Sequence, residues 1–346
     1  MKSWDVIIAG AGIIGVSLGL ELHERGGKVL VLDRGEPGSE ASSAAAGMLA
    51  ATDPETPPAL RPLAMESARM FPGLVEKVEN SSDMQVDFRV GTIALLADAA
   101  QAPDHYRNLS AADVERLEPS LRVSGLSAFY VRENSVDPRL LMQAALAAAR
   151  NFGIEIRRNT ALKTIRRHSD ALEAMTDAGT FTSRSVIDCR GAWSGIPVRP
   201  RKGQMLYVQP QACVLQHVLR APDVYIVPRS SGKILVGATV EDVGYDKSVN
   251  PSTIRYLLSL AAKYVAELAS APITESWAGL RPGTPDDLPI IGPTGTPGVF
   301  VATGHFRNGI LLAPVTAKIV ADLVDGRPSR LDISAFAPAR FRGATG

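Results

Sequence analysis

The chain has 346 residues, 45% of them hydrophobic and 21% charged, the composition of an ordinary globular protein long enough for two lobes. Thirty-seven basic residues against 36 acidic ones leave a formal charge of +1, which provides no field for holding a nucleic-acid backbone or an anionic membrane. Only Cys189 and Cys213 occur, outside any C-x-x-C pair, so a disulfide framework, a zinc knuckle and a dithiol centre are unsupported; no metal is expected, and a cytoplasmic location is.

The opening apolar run is interrupted by Asp5 and closed by Glu21, and no stretch approaches ~18 uninterrupted apolar residues, so neither an export signal nor a membrane span is expected. Val6 to Ala9 reads as a buried strand, Ile13 to Arg25 as a helix and Lys28 to Leu32 as a second strand, one βαβ unit. Between its first two elements lies "GAGIIG". Gly10 permits the tight turn, Gly12 lets backbone amides approach a pyrophosphate, and Gly15 allows close packing of helix on strand. Asp33 ends the second strand, where a carboxylate accepts hydrogen bonds from ribose hydroxyls. The pattern predicts a bound dinucleotide without separating NAD from FAD; Asp33 disfavours the 2′-phosphate of NADP, and Arg34 softens that objection.

Further along, "PETPPALRP" around Pro57 reads as an exposed, mobile loop. Asp137 is a good N-cap with Pro138 at the first helical position, starting a helix that stops at Gly153. Ser185 to Gly195 reads as a core strand ending in a turn, and the C-terminal region as strand, glycine turn and amphipathic helix, with Gly326 as the stop. Val86–Leu96, Leu126–Val131, Met205–Val208, Tyr225–Val227 and Ile234–Gly237 have a different texture, rich in β-branched and aromatic residues with few long helices. The fold class predicted is α/β: a Rossmann-like nucleotide-binding domain (1–84, 137–196 and 290–346) carrying an inserted antiparallel-sheet α+β substrate domain (85–136 and 197–289).

In "SWAGLRPGTPDDLPIIG", Ser276 to Gly292, Arg281 stands among apolar residues and glycines with no acid until Asp286. Burial of that guanidinium costs several kcal/mol unless an anion of good geometry meets it, and the neighbouring sequence offers none. The alternatives are a distant Asp or Glu partner, or exposure with the stem packed on Trp277. Asp286 and Asp287 read as turn residues. Ser42 and Ser43 suit either an N-cap or a phosphate contact, and His23, His105, His168 and His217 are scattered without ligand spacing and read as exposed.

"VIIAGAGIIG", "SSAAAGML" (Ser42 to Leu49), "YIVPR" (Tyr225 to Arg229), "VGAT" (Val236 to Thr239), "WAGLRPGT" (Trp277 to Thr284) and "GHFRNGILLAP" (Gly304 to Pro314), in order along the chain, resemble the glycine oxidases of the D-amino-acid oxidase family of FAD-dependent oxidoreductases. The resemblance implies that FAD is the dinucleotide. Besides Gly10, Gly12, Gly15 and Asp33, it implies FAD contacts at Ile13, Ile14, Arg34, Ala41, Ser42, Ala46, Gly47, Met48, Leu162 and Gly191. A second group is His305, Phe306, Arg307, Asn308, Gly309, Ile310 and Leu311. Arg281 falls on the arginine that binds the substrate carboxylate, Tyr225 on a pocket tyrosine and Arg307 on a second arginine, with Met48 and Val240 beside the substrate. Two departures bear on the pocket entrance: Val240 stands where the resemblance leads to a methionine, and Asp223 where it leads to a histidine. Related amine oxidases tether flavin through a cysteine near the C-terminal substrate segment or a histidine near Ser42; neither is present, so FAD is expected to be noncovalent.

The chemistry so implied is hydride transfer from the α-carbon of a neutral amine to flavin, driven by the nitrogen lone pair, giving an imine that water hydrolyses. No strong base is assigned, and His305 is a backbone-level flavin contact. The amides where "RNGILL" enters the last helix are placed to stabilise negative charge on the flavin pyrimidine, with Gly309 permitting close approach. Three functions follow. One is an oxidase acting on glycine or another small amino acid and O2, releasing ammonia, hydrogen peroxide and an oxo acid, the imine available for thiazole synthesis in thiamine formation. A second is a dehydrogenase of an amino or imino acid such as proline or sarcosine, passing electrons to a quinone or partner protein. The third is a noncatalytic flavin-binding subunit. The resemblance also suggests a homo-tetramer.

Overall fold

The computed structural model describes residues 3–123 and 125–341. Its first sheet runs, in spatial order, Ile290–Pro293, Val299–Thr303, Gly179–Asp188, Ser3–Ala9, Val29–Leu32 and Glu155–Arg157. The last five of these are parallel, and Ile290–Pro293 is an antiparallel edge. Alternation along the two central strands explains the layering. Val6, Ile8, Val29 and Val31 point into one core with the helices Ile13–Glu24, Arg61–Ser82, Pro138–Asn151 and Ala313–Val324. Ile7, Ala9, Leu30 and Leu32 point into another, covered by the hairpin Leu162–His168 and Ala171–Thr176. Both faces being buried, these strands read as continuous apolar runs.

The second sheet runs Ile273–Gly283, Arg199–Val208, Ile234–Gly237, Tyr225–Pro228, Val218–Arg220, Phe88–Leu96, Ser127–Val136 and Met48–Leu49. Among the described residues its strands pair antiparallel, except that Val218–Arg220 lies parallel to Phe88–Leu96. The helix Pro251–Tyr264 buries Ile254, Leu257, Leu260 and Ala261 against Leu206, Val208, Ile234 and Val236.

Two of the longer helices are absent from the sequence reading, and both have a physical reason. Pro62, Pro72 and Gly73 make Arg61–Ser82 look broken, yet Pro62 falls in the first turn, where no intrahelical N–H is needed. The helix carries Pro72 internally and buries Leu63, Ser67, Phe71, Leu74 and Val78 along one stripe. Pro251–Tyr264 begins the same way, after Asn250, whose side chain caps Ser252 N–H. The segment around Pro57 is also less exposed than expected: Ala51, Thr56 and Leu60 are buried. His217 is half-buried rather than exposed, its Nδ1 2.7 Å from the buried Glu118 carboxylate. Among the described residues, no helix is long and apolar enough to cross a membrane.

Asp137 caps its helix as the sequence predicts, accepting from the N–H groups of Arg139 at 2.8 Å and Leu140 at 3.3 Å. Asp137→Ala is expected to cost at least about 1 kcal/mol, read as a lowered denaturation midpoint, and Asp137→Asn, which keeps a capping oxygen, to lose less.

Candidate active site

A cavity of about 700 Å³ lies where the two sheets meet. At one end it is lined by Gly10, Gly12, Ile13 and Ile14, where the first strand turns into the first helix. Gly10 has φ +108°, and a Cβ there would overlap the Cys189 carbonyl; a Cβ on Gly15 would overlap the carbonyl of Gly10. The turn is therefore built for glycine and brings backbone to the cavity surface. The helix has no acidic residue in its first turn, so its positive end is not neutralised from within. Asp33 closes this end: Oδ2 accepts from Ala11 N–H at 2.7 Å and Oδ1 from Gly35 N–H at 2.9 Å. Ser42 does not cap its own short helix; its Oγ accepts from Ile13 N–H at 2.9 Å, leaving the hydroxyl hydrogen to donate. Arg34 pairs with Glu40 at 2.7 Å and stacks 3.7 Å above the Trp193 ring.

At the other end Arg281 projects from the strand Ile273–Gly283, directly across from Arg201. Like charges facing each other in a ladder repel, and glycines on the opposite strands resolve the conflict. Arg281 lies over Gly203, where a Cβ would overlap its guanidinium, and Arg201 leans over Gly283, so the two side chains splay apart. Arg281 Nη1 donates to the Thr239 carbonyl at 3.0 Å, and the side chain also meets the Tyr225 hydroxyl. Among the described residues no carboxylate pairs with it, and it is half-buried.

Tyr225, Gly237, Met205 and Trp277 stand side by side on four neighbouring strands. The tyrosine ring lies over Gly237, and its hydroxyl is 3.4 Å from Met205 Sδ. Burial pushes the Tyr225 phenol above its ordinary pKa, and the positive charges of Arg281, Arg229 and Arg307 pull against it. The group keeps its proton at neutral pH and acts as a donor. His305 is buried with Nε2 3.1 Å from Thr316 Oγ1, and burial lowers its pKa to about 3, so the ring is neutral. Arg307 is exposed and pairs with Glu55 at 2.9 Å. Gly47, at φ +79°, passes so close to the Val136 carbonyl that a Cβ would overlap it, and this brings Met48 to the cavity wall. Val240 forms part of the rim and is 49% exposed.

The cavity brings together nearly all the residues singled out in the sequence. Gly10, Gly12, Ile13, Ile14, Asp33, Arg34, Ala41, Ser42, Ala46, Gly47, Met48, Leu162, Gly191, Tyr225, Val240, Arg281 and the run His305 to Ile310 all line it. Gly15 stands behind the turn, and Leu311 is directed into the helical core, its carbonyl accepting from Ser67 Oγ at 2.6 Å. Trp193, Met205, Arg220 and the loop from Asp53 to Pro57 also line it, without a sequence signal that marks them. Among the described residues no cluster of His, Cys, Asp or Glu is arranged to hold a metal ion.

A glycine turn feeding a helix N-terminus, a carboxylate closing the next strand, and a half-buried arginine with no acid at the opposite pole are the features of one class, a dinucleotide-binding oxidoreductase. The family model of FAD dependent oxidoreductases matches residues 5–323, and the chain belongs to that family. The glycine oxidase of Geobacillus kaustophilus is 34% identical, with 99% of this chain and 98% of that protein covered. Its crystal structure superposes with a TM-score of 0.93, covering 98% of this chain and 99% of that one. The glycine oxidase of Pseudomonas aeruginosa is 33% identical, over 96% of this chain and 98% of the relative. The bifunctional ThiO/ThiG protein of Trichormus variabilis is 33% identical over 98% of this chain, which spans only 55% of that longer relative. The glycine cradle and the unneutralised helix terminus fit FAD on the structure's own terms.

Two outcomes follow from this geometry. Gly203→Ala is expected to displace the Arg281 guanidinium and weaken carboxylate binding at least about tenfold while FAD stays bound, measured by titration of the flavin spectrum with acetate. His305 has a folded-state pKa below its unfolded value, so the unfolded chain binds the extra proton and stability falls as pH drops from about 6.5 toward 3. His305→Gln is expected to flatten the dependence of unfolding free energy on pH in that window by up to about 1.4 kcal/mol per pH unit, measured by denaturant titration.

Proposed function

We propose that the protein oxidises glycine or a similarly small amino acid at its α-carbon, using noncovalent FAD and dioxygen. The chain then divides into an FAD-binding domain (1–84, 137–196 and 290–346) and a substrate domain (85–136 and 197–289). The observation that carries it is Arg281, a guanidinium at the cavity wall that no carboxylate of the described chain neutralises.

An amino acid presents a planar carboxylate, which Arg281 takes through two parallel N–H···O bonds, fixing orientation as well as adding energy. Tyr225 donates its hydroxyl to the same group, its raised pKa keeping the proton in place. Arg307 adds positive charge at the mouth, and Met48 and Val240 bound the space left for the side chain. The α-carbon is thereby held with the amine neutral and its proton passed to solvent, so that the nitrogen lone pair expels the hydride. When bound, FAD supplies the two-electron acceptor, and dioxygen takes the electrons onward as hydrogen peroxide. Gly10, Gly12, Ile13, Ile14, Ser42 and Asp33 would hold its nucleotide end, and the His305 to Ile310 turn would hold its ring end. Noncovalent binding agrees with Cys189, the cysteine at the cavity, whose thiol burial pushes well up and so keeps protonated. Water hydrolyses the imine to an oxo acid and ammonia. Similarity to the ThiO/ThiG protein supports a place in thiamine biosynthesis.

Purified protein is expected to show a flavin spectrum that glycine, sarcosine, D-alanine or D-proline bleaches without air and that recovers in air with peroxide released. Bleaching with recovery only through an added quinone would replace the oxidase with a dehydrogenase, and a colourless protein unable to take up FAD would end the reading. Arg281→Ala is expected to retain FAD while KM for glycine rises at least about thirtyfold, the loss typical of one partner in a buried charged pair.

A further inference from the structure

The cavity that Arg281 lines also carries Arg307, whose guanidinium is occupied: Nη1 donates to Glu55 Oε2 at 2.9 Å. The pair is open to solvent, with 49% and 72% of the two side chains exposed, and both residues face the same cavity as Arg281 and Tyr225. Arg281, Arg307 and Tyr225 line the same cavity, and both guanidinium groups bear electrostatically on the Tyr225 hydroxyl.

Glu55 sits at the tip of a loop whose stem is tied down. Thr52 donates its N–H and its hydroxyl to Glu133 Oε1 at 3.0 and 2.6 Å. Asp53 lies 3.4 Å from Arg220, which pairs with Glu133 at 3.1 Å. Arg61 holds the carbonyls of Pro54 and Thr56 at 3.3 and 3.2 Å, and Thr56 is buried. The stem is fixed, while the Glu55 side chain crosses open solvent to reach Arg307. Exposed pairs of this kind contribute little net stability, so an arriving carboxylate competes with Glu55 on nearly equal terms. Of the other acids that line the cavity, Asp53 is engaged by Arg220, and Asp223 by Lys263 at 3.7 Å and the Tyr264 hydroxyl at 2.9 Å.

We propose that Glu55 is an internal stand-in for the second carboxylate of a substrate, and that the pocket accepts amino acids bearing a distal acid group. The α-carboxylate docks on Arg281, as in the function proposed above, and the distal carboxylate replaces Glu55 on Arg307. With a monocarboxylate Glu55 keeps its place and the mouth stays narrow; with a dicarboxylate it swings into solvent. The exchange makes and breaks no covalent bond. Glu55 thus sets the balance between the two substrate classes.

The test uses the FAD-loaded full chain and unreactive acids, acetate against malonate and succinate, titrated through their perturbation of the visible flavin spectrum. Glu55→Gln is expected to tighten malonate or succinate binding about fivefold while acetate moves by less than about twofold, and adding Arg307→Gln is expected to erase that gain. Equal shifts for all three acids, or none for either dicarboxylate, would overturn the proposal. Arg281→Ala separates it from the reading on which it rests: acetate binding unaffected in that variant would refute the role of Arg281, whatever Glu55 does.

Discussion

A guanidinium that is half-buried, and that none of the described acids neutralises, is the constraint around which the second sheet is organised. Removing such a charge from water costs several kcal/mol when no counter-ion is supplied. The fold offsets part of that with the Thr239 carbonyl and the Tyr225 hydroxyl, neither of which carries a full negative charge. What it withholds is the carboxylate, the one partner that would fill the guanidinium fork. Gly203 shows that the arrangement is built in: the strand opposite gives up a side chain so that the guanidinium can lie flat against it.

The two faces of that neighbouring strand divide the work. Gly203 and Met205 point toward the cavity side, while Lys202 and Gln204 alternate to the other and build the support behind it. Lys202 is buried, 3.1 Å from Asp246 and 3.8 Å from Glu241, and Gln204 Nε2 donates to Glu241 at 2.8 Å. Thr239 accepts from Gln204 N–H at 3.0 Å and donates to Glu241, and Lys202 and Glu241 exchange two backbone hydrogen bonds of 2.9 Å. This network pins Thr239, and Thr239 pins Arg281. A rigid polar support of this kind lets an uncompensated charge keep one orientation instead of collapsing toward the nearest acid.

The nucleotide end was legible because its chemistry is consecutive in the chain: strand, three spaced glycines, helix and terminal acid all fall within a short run. Asp137 and Pro138 were legible for the same reason. Arg281 was conspicuous, but its strand was not, because Gly279, Pro282 and Gly283 look like loop; Gly283 is one of the residues that let two arginines face each other. The Arg61–Ser82 helix was hidden by its prolines, which disrupt a pattern while costing little at a first turn. The loop around Pro57 was recognisable as a loop, but its place at the cavity mouth depends on Arg220, Glu133 and Tyr106, which are distant in sequence. Leu311 was drawn into the site by its neighbours, though the register of the last helix turns it to the core.

The titratable groups around the cavity set the chemical limits. Tyr225 and Cys189 are held protonated by burial, and His305 is neutral with Nε2 engaged by Thr316. Asp33 is spent on two amides, Glu40 on Arg34 and Lys247, Asp53 on Arg220, and Glu55 on Arg307. A mechanism that pulled a proton from carbon needs a base within hydrogen-bond reach whose pKa suits the task. Here Asp33, Glu40, Asp53, Glu55 and Asp223 are tied to cations or amides, Asp287 is exposed in the turn beyond Arg281, and the neutral donors have been pushed away from ionisation. Such a wall is suited to binding and orienting. Expulsion of a hydride by the substrate's own nitrogen asks only for that, so the same burial that removes a base from the site also selects the reaction it can support.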